Sequence, residues 1–329
     1  MKQPILPFTL NDLPNEEYHN GEDFKEFCSS SVLKKMQISP KFAKYCLDNP
    51  IELNTAATSQ GSVYHSMLAS IANHGNAETG FNKEYFVFAP PKNMTTGKSY
   101  GFASQAYQDA LMCAKAEAGE REACSEGEKQ IAESMIDELL NNNPHLSPQV
   151  RNLLKIGKAE QSHFLDYQGR KFKYRTDLKT ANKIVDFKKV GDPVKTKRGA
   201  CKPDKFDKEI IKFGYGISAA FYQFFEHEYS KRWKSFFWIA QESEPPFDFT
   251  ILGADNYAYK ISNEDGVQYV EPGTDAMILT KMIDQWCLCH DTKLWPGYSV
   301  FIQPDNWNKR IGFPNVPIYH QRQDYQFYN

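Results

Sequence analysis

The stretch from Tyr174 to Lys188, Tyr-Arg-Thr-Asp-Leu-Lys-Thr-Ala-Asn-Lys-Ile-Val-Asp-Phe-Lys, holds two carboxylates and a lysine that a β-hairpin would bring together. Residues two apart on a strand share a face, so Asp186 and Lys188 point one way and Phe187 the other, toward a core. With Asp177 ending the first strand and a short turn following, Asp177 and Asp186 lie side by side and Lys188 lies beyond them. Adjacent carboxylates repel unless something neutralises them, and a hard divalent cation is the usual partner. Mg2+ takes a few carboxylates and keeps positions for water and phosphate oxygens, which is what phosphodiester hydrolysis requires. A lysine beside that cation can orient the water or stabilise developing negative charge. The same residues also make an ordinary exposed charged hairpin, so the segment alone leaves both readings open.

A hairpin of this kind needs a sheet and helices to hold it. Short alternating segments at 159–167, 171–178 and 184–189 read as strands, separated by the turn signals Gln168-Gly169 and Ala181-Asn182. Residues 235–241 read as a buried strand, and another is expected at 249–252, after the Pro245-Pro246 break. Upstream, Ser31 is expected to cap a short helix and Ser39-Pro40 to open a second, which Asn49-Pro50 stops. Val63, Tyr64, Met67, Leu68 and Ile71 recur at three-to-four spacing, which predicts a helix over 60–72. A strand is expected at 85–89 and helices within 101–140, at 215–225 and at 270–290. Residues 1–28 read as a polar, extended lead-in, 29–310 as one mixed α/β domain, and 311–329 as a tail.

Composition narrows the class. A chain of 329 residues buries a sizeable core, and 14 % aromatic content is too high for a disordered one. The net charge of −2 points to no global attraction for nucleic acid or membrane, so any such preference is local. Seven scattered cysteines are not a disulfide framework, and Cys287-Leu-Cys289-His290 lacks the spacing of a zinc site. Met1-Lys2-Gln3-Pro4 opens no signal peptide, and no apolar run approaches the roughly 20 residues of a membrane span. A soluble protein of a reducing cytoplasm is expected.

Other motifs keep a fixed order around the hairpin. They are Ser29-Ser-Ser-Val-Leu, Ser39-Pro-Lys-Phe, Gly61-Ser-Val-Tyr-His65, Phe86-Val-Phe-Ala-Pro90, Ala159-Glu160 and Gly214-Tyr215-Gly-Ile-Ser218-Ala-Ala-Phe-Tyr222. Glu242-Ser-Glu-Pro-Pro-Phe247, Trp295-Pro-Gly-Tyr298 and Pro304-Asp-Asn-Trp307 follow. In this order the chain resembles the PD-(D/E)XK nuclease superfamily, its RecB-type branch, and most closely the exodeoxyribonuclease VIII (RecE-like) family. The resemblance implies a restriction-endonuclease-like α/β core, with a small mixed central sheet flanked by helices and a helical N-terminal region.

Residue by residue, the resemblance implies Asp177 and Asp186 as metal-binding carboxylates and Lys188 as the catalytic lysine. His65 would add a metal ligand, the carbonyl of Phe187 would complete the shell, and Glu160 would be an acidic group near the site. Tyr222 matches the tyrosine of a Gln-x-x-x-Tyr motif that holds DNA, with Tyr215 in the same segment. Ser218 replaces the Gln with a shorter side chain. The segment between the aspartates is also short for the family, which implies a tight hairpin. The implied activity is Mg2+-dependent, with Mn2+ substituting: 5′-to-3′ exonucleolytic digestion of linear double-stranded DNA, leaving 3′ overhangs for recombination. Such relatives work with a single-strand annealing protein, form closed rings and are commonly encoded by phages or prophages in a bacterial cytoplasm. A structure-selective or single-strand nuclease of the superfamily, or a DNA-binding recombination accessory with a decayed site, are the alternatives.

Local charge fits a DNA partner. Between Lys183 and Lys212 stand ten basic and five acidic residues, a net +5 immediately after the proposed catalytic strand. This run is expected as a loop that tracks the DNA backbone, with Lys189, Lys195, Lys197 and Arg198 on phosphates and Arg175 adding charge from the hairpin. Such contacts position a duplex without reading its sequence.

Overall fold

The computed structural model describes residues 5–297 apart from 12, 51–55 and 192–198. Strand β1 (Phe8–Leu10) and helix α1 (Asn15–Asn20) precede α2 (Ser30–Leu33), which runs into a 3-10 turn at Lys34–Gln37. Helix α3 (Pro40–Asp48) begins where the Ser39 side chain accepts the Phe42 N–H, with Pro at the first helical position. Then come α4 (Ala56–His74), α5 (Glu78–Glu84), β2 (Tyr85–Phe88), α6 (Gln105–Ala118), β3 (Glu122–Ser125) and α7 (Glu126–Asp137). A reciprocal cap between Ser125 and Glu128 starts α7. Helix α8 (Ser147–Ile156) leads into β4 (Lys158–Tyr167), β5 (Arg170–Lys179) and β6 (Lys183–Val190). The chain continues through α9 (Pro203–Phe213), α10 (Tyr215–Ser230), β7 (Ser235–Glu242), β8 (Phe249–Gly253), β9 (Tyr259–Glu264), β10 (Val267–Pro272) and α11 (Thr274–Thr292).

Six strands make the central sheet, in the order β1-β4-β5-β6-β7-β8. All neighbours run antiparallel except β6 and β7, which are parallel and are joined across α9 and α10. On one face Ile184, Phe236 and Trp238 meet Leu33, Phe206, Phe221 and Trp286 from the helices. On the other, Val185, Phe187 and Ile239 meet Met67, Met135 and Leu154. This is the mixed α/β sheet between helices that the sequence predicts. Among the described residues, no helix is long and apolar enough to cross a membrane.

Several elements differ from expectation. Ser29, not Ser31, stands at the start of α2. The N-terminal segment is more than a lead-in. β1 extends the sheet along β4, and Phe8, Tyr18, Phe24 and Phe27 gather around the buried ring of Phe164. Strand β3 interrupts the helical stretch and pairs with β2 in a separate parallel ribbon, and β9–β10 form a hairpin before α11. Among its described residues, the basic run expected as a loop is mostly regular structure: β6 carries its first lysines, and Lys202, Lys205, Lys208 and Lys212 cap or lie on α9. A residue pattern rich in lysine permits an exposed helix as readily as a loop, and the apolar face Phe206–Ile210 decides for the helix.

Candidate active site

The β5–β6 ladder pairs only Leu178 with Val185 and Lys179 with Ile184, beyond a turn in which the Thr180 N–H donates to the Lys183 carbonyl. Past Leu178 and Val185 the strands diverge, and the next residues on each are Asp177 and Asp186. A side chain replaces the ladder there: the Phe187 N–H donates to Asp177 Oδ2 at 2.7 Å. Phe187 buries its ring in the second core, while Lys188 Nζ lies 2.6 Å from Asp186 Oδ2. The alternation read from Asp186-Phe187-Lys188 is therefore the one the strand adopts.

Two further residues reach the cleft. His65 comes from α4, which packs on the Phe187 side of the sheet, and its Nδ1 is 3.3 Å from Asp177 Oδ2. Its ring meets that of Phe187 edge-on at 6.5 Å. Glu160 stands in β4 at the single break of the β4–β5 ladder, between the pairs Ala159–Leu178 and Gln161–Thr176, and so opposite Asp177. Its φ of +53° is one that non-glycine strand residues rarely adopt. Such strain costs on the order of 1–3 kcal/mol and gathers at functional sites. At the same level β5 changes phase: Phe172 and Tyr174 face the first core, but Leu178 faces the second.

Ligand atoms of His65, Glu160 and Asp177 all lie within 4.8 Å of one another. One nitrogen and two carboxylates at that spacing fit a divalent cation. Glu160 joins His65 and Asp177 in the cluster, while Asp186, adjacent to them, is turned onto Lys188. The Phe187 backbone faces the imidazole, beside the cluster.

Crowding shows in the protonation of these groups. Burial and the neighbouring Asp177 push the Glu160 carboxyl up to about 8. Asp186 is pushed up to about 6 by burial, against the opposing pull of Lys188. Asp177 is raised by burial too. Burial and then Lys188 lower His65 to about 4, leaving a neutral imidazole suited to ligation. Burial disfavours the charge of Lys188, but Asp186 and Asp177 outweigh it and hold the ammonium charged.

The remaining expected contacts divide. Tyr215 lies under Lys188, whose Nζ is 5.2 Å from the ring centre. Tyr222 is half-buried between Tyr174 and Phe236, hydrogen-bonded to Ser30, and senses Asp186. Ser218 sits half-buried one turn along α10 from Tyr222. Arg175 points its nitrogens at protein acceptors, Ser162 Oγ and the Leu13 carbonyl at 2.8 Å each and Glu160 at 3.8 Å, and stacks over Tyr18. Lys189 donates to Gln60 Oε1 at 2.7 Å. Lys195, Lys197 and Arg198 lie outside the described residues, as do Tyr298 and the Pro304–Trp307 motif. Sequence reading missed Lys34. Its Nζ donates to the Phe213 carbonyl at 3.3 Å, and burial and the charge of Lys188 lower it to about 8. Only its place after the Ser29-Ser-Ser-Val-Leu motif could have drawn notice.

A hairpin presenting two aspartates and a lysine, with an acidic residue and a histidine converging from flanking elements, is the layout of a PDDEXK-like domain, the fold class of metal-dependent nucleases. The family model of the PDDEXK-like domain of unknown function DUF3799 matches residues 29–275, and the chain belongs to that family. Among solved structures, a protein from Eubacterium rectale, provisionally named as an exonuclease, is similar with a TM-score of 0.47 and 15 % identity. The likeness covers 93 % of this chain and 96 % of that one. No curated protein matches the chain.

Proposed function

We propose that this protein is a Mg2+-dependent deoxyribonuclease that digests linear double-stranded DNA from its ends, 5′ to 3′, and leaves 3′ overhangs, as the likeness to exodeoxyribonuclease VIII implies. The observation that carries the reading is the convergence of His65, Glu160 and Asp177 beside the Asp186–Lys188 pair. A bound divalent cation would supply neutralisation of the phosphate charge and a more acidic water. His65, Asp177 and Glu160 would hold it, with Asp186 able to join once released from Lys188. Lys188, its charge favoured by Asp186 and Asp177, would orient the attacking water or steady negative charge on the phosphate. Tyr215 supports that ammonium from below. The same likeness extends the proposal to a closed ring of subunits and an annealing-protein partner in recombination.

End-labelled linear duplex incubated with Mg2+, Mn2+ or EDTA tests the reading. The expected result is cation-dependent release of mononucleotides from the 5′-labelled strand, with a nicked circle left intact. Cleavage that survives EDTA, or equal attack on closed circles, would overturn it. Calorimetric titration with Mn2+ separates an active site from a decayed one: binding should be present in the native protein and lost in Asp177→Ala.

A further inference from the structure

The junction of α9 and α10 holds a feature that the cleavage reading leaves unused. Phe213 ends α9 with 46 % of its surface exposed. Its position in the open is fixed. Gly214, at φ +62°, turns the chain so that Phe213 stacks on Tyr215 with ring centres 5.5 Å apart. Tyr215 in turn carries the Lys188 ammonium at 5.2 Å. The exposed ring therefore lies no farther from Lys188 than those two spacings together, a span of two or three stacked bases at about 3.4 Å each. Two cations frame it. Lys212 Nζ lies over the ring, 4.9 Å from its centre, where an arriving base would displace it toward a phosphate, and Lys34 reaches the Phe213 carbonyl while keeping further N–H donors.

We propose that Phe213 is a stacking platform for an unpaired base of the DNA strand entering the site, with Lys34 and Lys212 on the adjoining phosphates. An aromatic face flanked by ammonium groups is the combination by which single strands are held without sequence preference. Continuity through Tyr215 to Lys188 favours this occupant over a protein partner, because a nucleotide whose phosphate approaches the lysine brings its neighbour's base over the ring. The inference rests on the nuclease reading and adds to it that the duplex end is frayed before cutting.

Binding of a duplex with 2-aminopurine at its terminal position, in Ca2+ to slow cleavage, reads the stack as fluorescence quenching. Wild type should quench. Phe213→Ala should lose the quenching and bind about tenfold more weakly. Phe213→Tyr should keep both, and Phe213→Leu should not restore the quenching. An abasic residue at the terminus should weaken wild type by the same factor and leave Phe213→Ala no worse. Unchanged quenching in Phe213→Ala, or an equal loss on abasic DNA, would overturn the platform. A changed oligomeric state with unchanged quenching would assign the ring to a protein contact and overturn it as well. Wild type that neither binds nor cleaves would remove the nuclease reading itself, whereas normal cleavage without quenching removes only the platform.

Discussion

Asp177, Asp186 and Glu160 crowd around a single imidazole, and each holds its proton more tightly than it would alone. Lys188 holds a positive charge among them, its Nζ 2.6 Å from Asp186 Oδ2, and Arg175 stands 3.8 Å from Glu160. Asp186→Ala and Lys188→Ala are each expected to cut DNA hydrolysis by about 10²–10⁴-fold, the usual contribution of a positioned charged or acid–base group. Circular dichroism and DNA binding should be nearly unchanged. Digestion at wild-type rate by either variant in Mg2+ would refute the assignment. The Asp-x-Lys pair was legible because strand alternation needs only residue order. Glu160 was named but its role was not, since no residue type encodes a left-handed φ inside a strand. Lys34 was invisible for a different reason: 154 positions separate it from Lys188 in the chain, and only the packing of α2 beside α10 brings it near.

At the scale of elements, the cleft exists because β5 and β6 part after two ladder pairs, and something must keep α10 seated against β5 as they do. A buried ionic cluster does so. Glu226, on α10 one turn beyond Tyr222, accepts from the Tyr174 hydroxyl at 2.7 Å and from Lys179 Nζ at 2.9 Å, with Lys234 Nζ at 3.1 Å. Tyr174 and Lys179 flank Asp177 on β5. Glu226→Ala would strand two buried ammonium groups and is expected to destabilise the protein by about 3–5 kcal/mol, measured as a lowered urea midpoint. A loss under 1 kcal/mol would show that the cluster is solvated in solution. Glu226→Gln should recover part of the stability by keeping the tyrosine bond. Of these elements, the hairpin, α10 and β7 were readable from alternation and helical spacing. β3 and the β9–β10 hairpin were not: β3 has four residues whose buried pair, Cys124 and Ser125, is adjacent instead of alternating, and β9 and β10 are largely exposed.

For the molecule as a whole, the strained acidic cleft sets a condition on stability that a cation should relieve. A carboxyl whose pKa is raised on folding binds its proton more tightly in the native state, so its contribution is present at low pH and is lost as pH rises through the folded value. For Glu160 that window runs from its ordinary 4.5 to about 8. Asp186 acts in the same sense from 3.8 to about 6. His65, lowered to about 4 from 6.5, acts oppositely below 6.5, so the two effects offset one another in the acid range. Between 6.5 and 8 His65 no longer offsets Glu160, and the metal-free protein should lose thermal stability as pH rises across that interval. Glu160→Gln should flatten the slope, because its amide carries no proton to lose. Adding Mg2+ should raise the melting temperature more at the upper end of the interval than at the lower, since deprotonated ligands bind it better. Differential scanning fluorimetry in EDTA and in Mg2+ at several pH values measures both slopes. A Mg2+ effect equal at all pH values, or one that persists fully in Glu160→Gln, would mean that Glu160 is not among the ligands.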